Sequence, residues 1–123
     1  TLMFGAEPVD YNDHQMSLKA GLRKSLQKTP PSVCDALMTP QPGEITWAIN
    51  SLSLEDVFTV TDQECLDAMK IAYDHLNITL EPGGAAAIAA ALGGNLPDHV
   101  KTIAVILSGG NVDPDIWERA LQS

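Results

Sequence analysis

Three groups of residues in this chain have the types and spacing to do chemistry. The first is Ser108-Gly109-Gly110-Asn111, directly after the apolar run Ile103-Ala104-Val105-Ile106-Leu107. Such a run, rich in Ile and Val, reads as a buried strand. Open α/β sheets bind ligands at the C-terminal ends of their strands. A hydroxyl fixed there can donate to a ligand, and two glycines let the backbone come close. The same tetrapeptide also reads as a plain strand-to-helix turn that needs glycine only for its backbone angles. The second group is Glu7 and Asp13. A carboxylate at a strand end and another in the following loop suit a hard cation such as magnesium or calcium. The alternative is a pair of solvated acids. The third is Glu81, in the step Leu80-Glu81-Pro82 before Gly83-Gly84. It is either a helix-start carboxylate favoured by the N-terminal dipole or a group facing the ligand. His14, His75 and His99 are scattered, with no i, i+4 pairing and no nearby Cys, and read as structural.

The elements that position these residues alternate. Leu2 to Ala6 reads as a strand stopped by Pro8, and a helix follows carrying Met16, Leu18 and Leu22, with Gly21 weakening its middle. Ser25 to Ser32 is a loop closed by Pro30-Pro31, and Val33 to Thr39 is ambiguous before Pro40 and Pro42. Glu44 to Leu52 reads as a short helix with Ile45, Ile49 and Leu52 on one face, and Trp47 is expected in the core. Asp56 to Thr61 is a second strand. Thr61-Asp62-Gln63-Glu64 is a capping box that opens the clearest helix, with Leu66, Met69, Tyr73 and Leu76 at helical spacing. Gly83 to Leu92 is an Ala-rich helix with almost no polar surface, so it must be buried or packed on a sheet. Thr102 to Leu107 is the expected third strand, and a last helix packed by Trp117 starts near Asp115. Strands alternating with helices indicate an α/β fold with a parallel, Rossmann-like sheet.

Bulk composition narrows the function. The 123 residues suffice for one modest domain. A hydrophobic fraction of 45% with 19% charged residues is globular. A formal net charge of −9, with no basic cluster, argues against nucleic-acid binding. The longest apolar run, Ala85 to Leu92, is too short to span a bilayer. Cys34 and Cys65 have no zinc or disulfide-framework spacing, and read as reduced, buried thiols of a cytoplasmic protein.

Four motifs appear in order: Gly5-Ala6-Glu7-Pro8, Thr46-Trp47-Ala48-Ile49, Leu80-Glu81-Pro82-Gly83-Gly84-Ala85-Ala86 and Leu107-Ser108-Gly109-Gly110-Asn111-Val112-Asp113. In this order the chain resembles the C-terminal part of the catalytic domain of fold-type-II pyridoxal-phosphate enzymes, specifically the serine/threonine dehydratase and serine racemase group. The match runs from Phe4 to about Trp117. The resemblance implies pyridoxal 5'-phosphate as cofactor, with Ser108 donating to the pyridine nitrogen, Gly109 beside it and Glu81 on the same side of the ring. A neutral hydroxyl leaves that nitrogen unprotonated, which weakens the electron sink and suits β-elimination and α-proton exchange. The resemblance further implies a divalent cation, magnesium or calcium, held by Glu7, the backbone carbonyl of Tyr11 and Asp13. The carbonyl position is usually small in that group, and Tyr11 departs from this. Thr39 takes the place of a Ser or Thr that contacts the substrate carboxylate, but the preceding Asp-Gly step is Asp35-Ala36 here.

The group's Schiff-base Lys lies in an upstream Ser-x-Lys-x-Arg-Gly-Ala-like stretch. None of Lys19, Lys24, Lys28, Lys70 or Lys101 has that setting, and no four-glycine phosphate cup is present. The chain is therefore expected to be one part of a larger enzyme, inactive alone, that needs the remaining N-terminal part. No regulatory domain is expected after Asn111. The activity implied is a dehydratase, or ammonia-lyase: L-threonine, L-serine or 3-hydroxyaspartate loses its α-proton and β-hydroxyl and yields a 2-oxo acid and ammonia. The alternatives are a serine-racemase-type enzyme, or a non-catalytic split subunit or binding module. The intact protein is expected to form a homo-oligomer, with a small amino acid as substrate and neither nucleic acid nor membrane as partner.

Overall fold

The computed structural model describes all residues, Thr1–Ser123. Strand β1, Phe4–Pro8, leads through a 3-10 turn at Val9–Tyr11 into helix α1, Asp13–Ala20. Gly21 does not weaken the middle of this helix but ends it. With φ of 69° it forms a left-handed C-cap whose N–H reaches the carbonyls of Ser17 and Leu18. The ambiguous stretch contains one 3-10 turn, Asp35–Leu37. Helix α2, Glu44–Ser53, leads into strand β2, Asp56–Val60. β1 and β2 pair in parallel, Phe4 opposite Asp56 and Pro8 opposite Val60. Parallel pairing needs a long crossover, which the segment carrying α1 and α2 supplies.

Helix α3, Asp62–Leu76, starts at the capping box read from the sequence. The Glu64 N–H donates to the Thr61 hydroxyl at 3.2 Å, and the Thr61 N–H donates back to the Glu64 carboxylate at 2.7 Å. Asn77, in the left-handed region at φ 55°, ends it. Helix α4, Pro82–Leu92, is the Ala-rich helix. Its Ala85, Ala86, Ala89 and Ala90 are buried with Leu66, Met69 and Ala72 of α3 and with Val60. Small side chains let α3 and α4 approach closely, and α4 also covers the sheet. Helix α5, Pro114–Gln122, packs on α3 through buried Ala120, with Trp117 edge-to-face on Tyr73 at 5.2 Å between ring centroids.

Three expectations change. Residues 102–107 form no strand; the sheet contains β1 and β2 alone. A strand exists through its neighbour, and this segment has none. It faces β1 across an apolar cavity of about 580 Å³ lined by Leu2, Phe4, Ala6, Ala87, Val100 and Ile103 among others. The apolar face of α2 does not join the core: Ile45, Ile49 and Leu52 are 81%, 62% and 89% exposed. Trp47 is only half-buried, because nothing in the chain packs over that helix.

Candidate active site

The start of α4 forms one centre. Glu81 is its N-cap and Pro82 its first residue, so the first turn presents free backbone N–H groups. The loop at residues 108–110 lies directly against it. The Glu81 N–H donates to the Gly109 carbonyl at 3.2 Å. Gly109 has φ of 77°, and a Cβ there would meet the Glu81 carboxyl at 2.5 Å. A Cβ on Gly84 would overlap the Ser108 carbonyl, and one on Gly110 would lie 2.9 Å from the Thr79 carbonyl. Glycine at 84 and 110 is therefore required by close approach of two backbones, and at 109 by the left-handed φ and the Glu81 side chain. Gly83 has ordinary room beside Leu37. The structure thus brings Glu81 together with the Ser108-Gly109 loop and leaves Ser108 exposed.

The second centre lies beyond the end of β1. Both carboxylate oxygens of Glu7 accept from the first turn of α1: the His14 N–H at 3.0 Å and the Gln15 N–H at 3.2 Å. Glu7 thereby caps a helix whose own N-cap, Asn12, makes no side-chain bond to a backbone N–H. Gln15 Nε2 donates to the Val57 carbonyl at 2.8 Å and ties the helix to β2. Asp13 is 1% exposed, and neither of its carboxylate oxygens accepts a hydrogen bond. Burial pushes the carboxyls of both Glu7 and Asp13 above their ordinary range. The two backbone N–H bonds oppose this in Glu7; in Asp13 the neighbouring His14 opposes it first, then the nearby backbone N–H of Asp13 itself and the Thr39 hydroxyl. A buried, unpartnered carboxylate is costly, and a cation is the partner that these donors fit. Tyr11 is buried, and its hydroxyl donates to the Pro30 carbonyl at 2.6 Å, which accommodates the large side chain under the following loop.

Thr39 belongs to the second centre. With Glu7, His14, Leu37 and Asn50 it lines a cavity of about 240 Å³. Leu37 of the intervening turn also touches Gly83, so the Asp35–Leu37 turn lies between the two centres. Sequence reasoning misses His14. It reads as structural, yet its ring Nδ1 lies 3.1 Å from Glu7 Oε1 and 3.6 Å from Asp13 Oδ2. The signal available is its position beside Asp13, seven residues after a strand-end Glu.

A model of the "Pyridoxal-phosphate dependent enzyme" family matches residues 1–109. The chain belongs to that family. It is 35% identical to a β-hydroxyaspartate dehydratase of Paracoccus denitrificans, over 94% of this chain and 36% of that protein. It is 34% identical to a serine racemase of Schizosaccharomyces pombe, over 90% of this chain and 34% of that protein. The structure of maize serine racemase superposes with a TM-score of 0.85 at 31% identity, covering 98% of this chain and 39% of that one. The fold is that of fold-type-II pyridoxal-phosphate enzymes: a parallel α/β arrangement flanked by helices. The chain spans about a third of the length of the curated relatives it matches. No helix is long and apolar enough to cross a membrane. At the α4 start, Ser108 is exposed, and the missing Cβ of Gly109 is what lets the Glu81 carboxyl lie against that loop.

Proposed function

We propose that this chain supplies the ring-nitrogen wall of a pyridoxal-phosphate-dependent ammonia-lyase acting on a β-hydroxy amino acid: L-threonine, L-serine or 3-hydroxyaspartate. The observation that carries this reading is the packing of Ser108-Gly109 against the Glu81 start of α4, in a chain that belongs to the cofactor's family. Bound pyridoxal phosphate supplies the electron sink that makes the substrate α-proton acidic. The residues here orient and tune. Ser108 Oγ donates to the ring nitrogen, and a neutral donor leaves that nitrogen unprotonated. Glu81 stands on the same side, its main chain fixed by Gly109. Thr39 binds the substrate carboxylate from the cavity that it lines with Leu37 and Asn50.

In the same reading Glu7, the Tyr11 carbonyl and Asp13 hold a divalent cation that neutralises the buried Asp13 and braces the end of β1. The other part of the protein brings the Schiff-base Lys and the phosphate cup. It also fills the cavity between β1 and residues 102–107 with an extended strand, for which both flanking backbones are available. Similarity to a serine racemase supports a second reading, racemisation, because both reactions begin by removing the α-proton.

The test is to incubate the complete protein with pyridoxal phosphate and each of the three amino acids. Release of ammonia with equimolar 2-oxo acid supports the lyase. D-serine from L-serine without 2-oxo acid supports the racemase. Neither product from any of the three overturns both.

A further inference from the structure

His14 departs from a purely oxygen-lined cation site. Its Nδ1 lies 3.1 Å from Glu7 Oε1 and 3.6 Å from Asp13 Oδ2, and one ligand atom from each of the three residues falls within 4.8 Å of the others. These separations match the edges of a metal coordination sphere. Ligand bonds of about 2.1 Å give edges of about 3.0 Å in an octahedron and about 3.4 Å in a tetrahedron. The ring is also held from behind. His14 Nε2 lies 3.1 Å from Nδ2 of the Asn50 side-chain amide. Which end of an amide faces outward is set by the hydrogen-bond network. Turning the Asn50 amide by half a rotation puts its carbonyl oxygen toward the ring, so that Nε2 carries the proton and Nδ1 turns a lone pair toward Glu7 and Asp13. A second group fixing the tautomer is the usual support of a ligating imidazole.

The rival arrangement keeps Asn50 Nδ2 donating to Nε2 and His14 Nδ1 donating to Glu7, and it leaves a gap. Its Nδ1–H reaches Glu7, whereas Asp13 at 3.6 Å keeps both oxygens unpartnered and buried. A cation within reach of all three removes that unpartnered charge. Imidazole favours borderline transition metals over magnesium and calcium, which prefer oxygen.

We propose that His14 Nδ1 is the third side-chain ligand of this site, and that it makes the site select a divalent transition metal, from manganese to zinc, over magnesium or calcium. The inference rests on the cation reading of Glu7 and Asp13, and is separable from it. The probes are cobalt(II) and magnesium, titrated by calorimetry into the metal-free complete protein, with manganese(II) bound for electron spin-echo measurements. The wild type should show imidazole-nitrogen modulation on manganese. His14→Ala should abolish it and weaken cobalt binding at least about 10-fold, a loss that even outer-shell partners produce, with little change for magnesium. His14→Gln keeps volume and polarity and should fail in the same way. Absence of nitrogen modulation in the wild type, or equal losses for both metals, overturns the role of His14. A wild type that binds none of the metals overturns the cation site itself and leaves the cofactor reading untouched.

Discussion

The Glu81 N–H donates to the carbonyl of Gly109 at 3.2 Å, and the Gly109 Cα faces the Glu81 side chain so closely that a Cβ would lie 2.5 Å from its carboxyl carbon. Two sequence motifs separated by the whole of α4 are one structural unit. Gly109→Ala therefore meets two obstacles: a left-handed backbone, which costs an L-residue about 1–2 kcal/mol, and the Glu81 carboxyl. Adding Glu81→Ala should relieve the second and leave the first. A double-mutant cycle on urea midpoints checks this. Additive changes would mean that the side chain yields without strain.

Residues 102–107 have no sheet partner and lie across an apolar cavity from β1. Amide protons of residues 103–107 should exchange rapidly in the chain alone, because nothing accepts them. In the complete protein the same amides should be protected if a strand fills the cavity. Equal, fast exchange in both would remove that role for the rest of the protein.

The buried carboxyls set a pH dependence. Unfolded, Glu7 and Asp13 titrate near 4.5 and 3.8, and in the folded chain both are raised. The folded state thus holds more protons above those values. Its stability is greatest below them and falls as pH rises through the folded pKa values. Chelator-treated wild type should lose melting temperature as pH rises above about 4 more steeply than Asp13→Asn. A wild type that gains stability relative to Asp13→Asn over that range would contradict the burial argument.

How much of this is legible in the sequence depends on how local the cause is. The capping box at Thr61 and Glu64 is complete within four residues, and α3 follows it as read. The Ala-rich run names its own burial, because it has no polar face to turn outward. Residues 102–107 satisfy every local rule for a strand, but the ladder needs a second backbone that this chain does not provide. Ile45, Ile49 and Leu52 keep helical spacing with no surface to pack on. In the second centre, Glu7 and Asp13 are visible as a pair of acids. The turn at Val9–Tyr11 is what swings His14 back onto Glu7, and no spacing rule for histidine pairs covers that route.

The most direct measurement of the central claim is pyridoxal-phosphate affinity and lyase rate in the complete protein, wild type against Ser108→Ala. Loss of one neutral hydrogen bond is worth about 0.5–1.5 kcal/mol, so cofactor affinity should fall about 2- to 13-fold. The shape of the cofactor's absorbance and the rate of 2-oxo acid formation should change with it, while the fold is retained. Unchanged affinity, spectrum and rate in Ser108→Ala would show that Ser108 does not touch the cofactor, and would reduce Ser108-Gly109-Gly110-Asn111 to a turn.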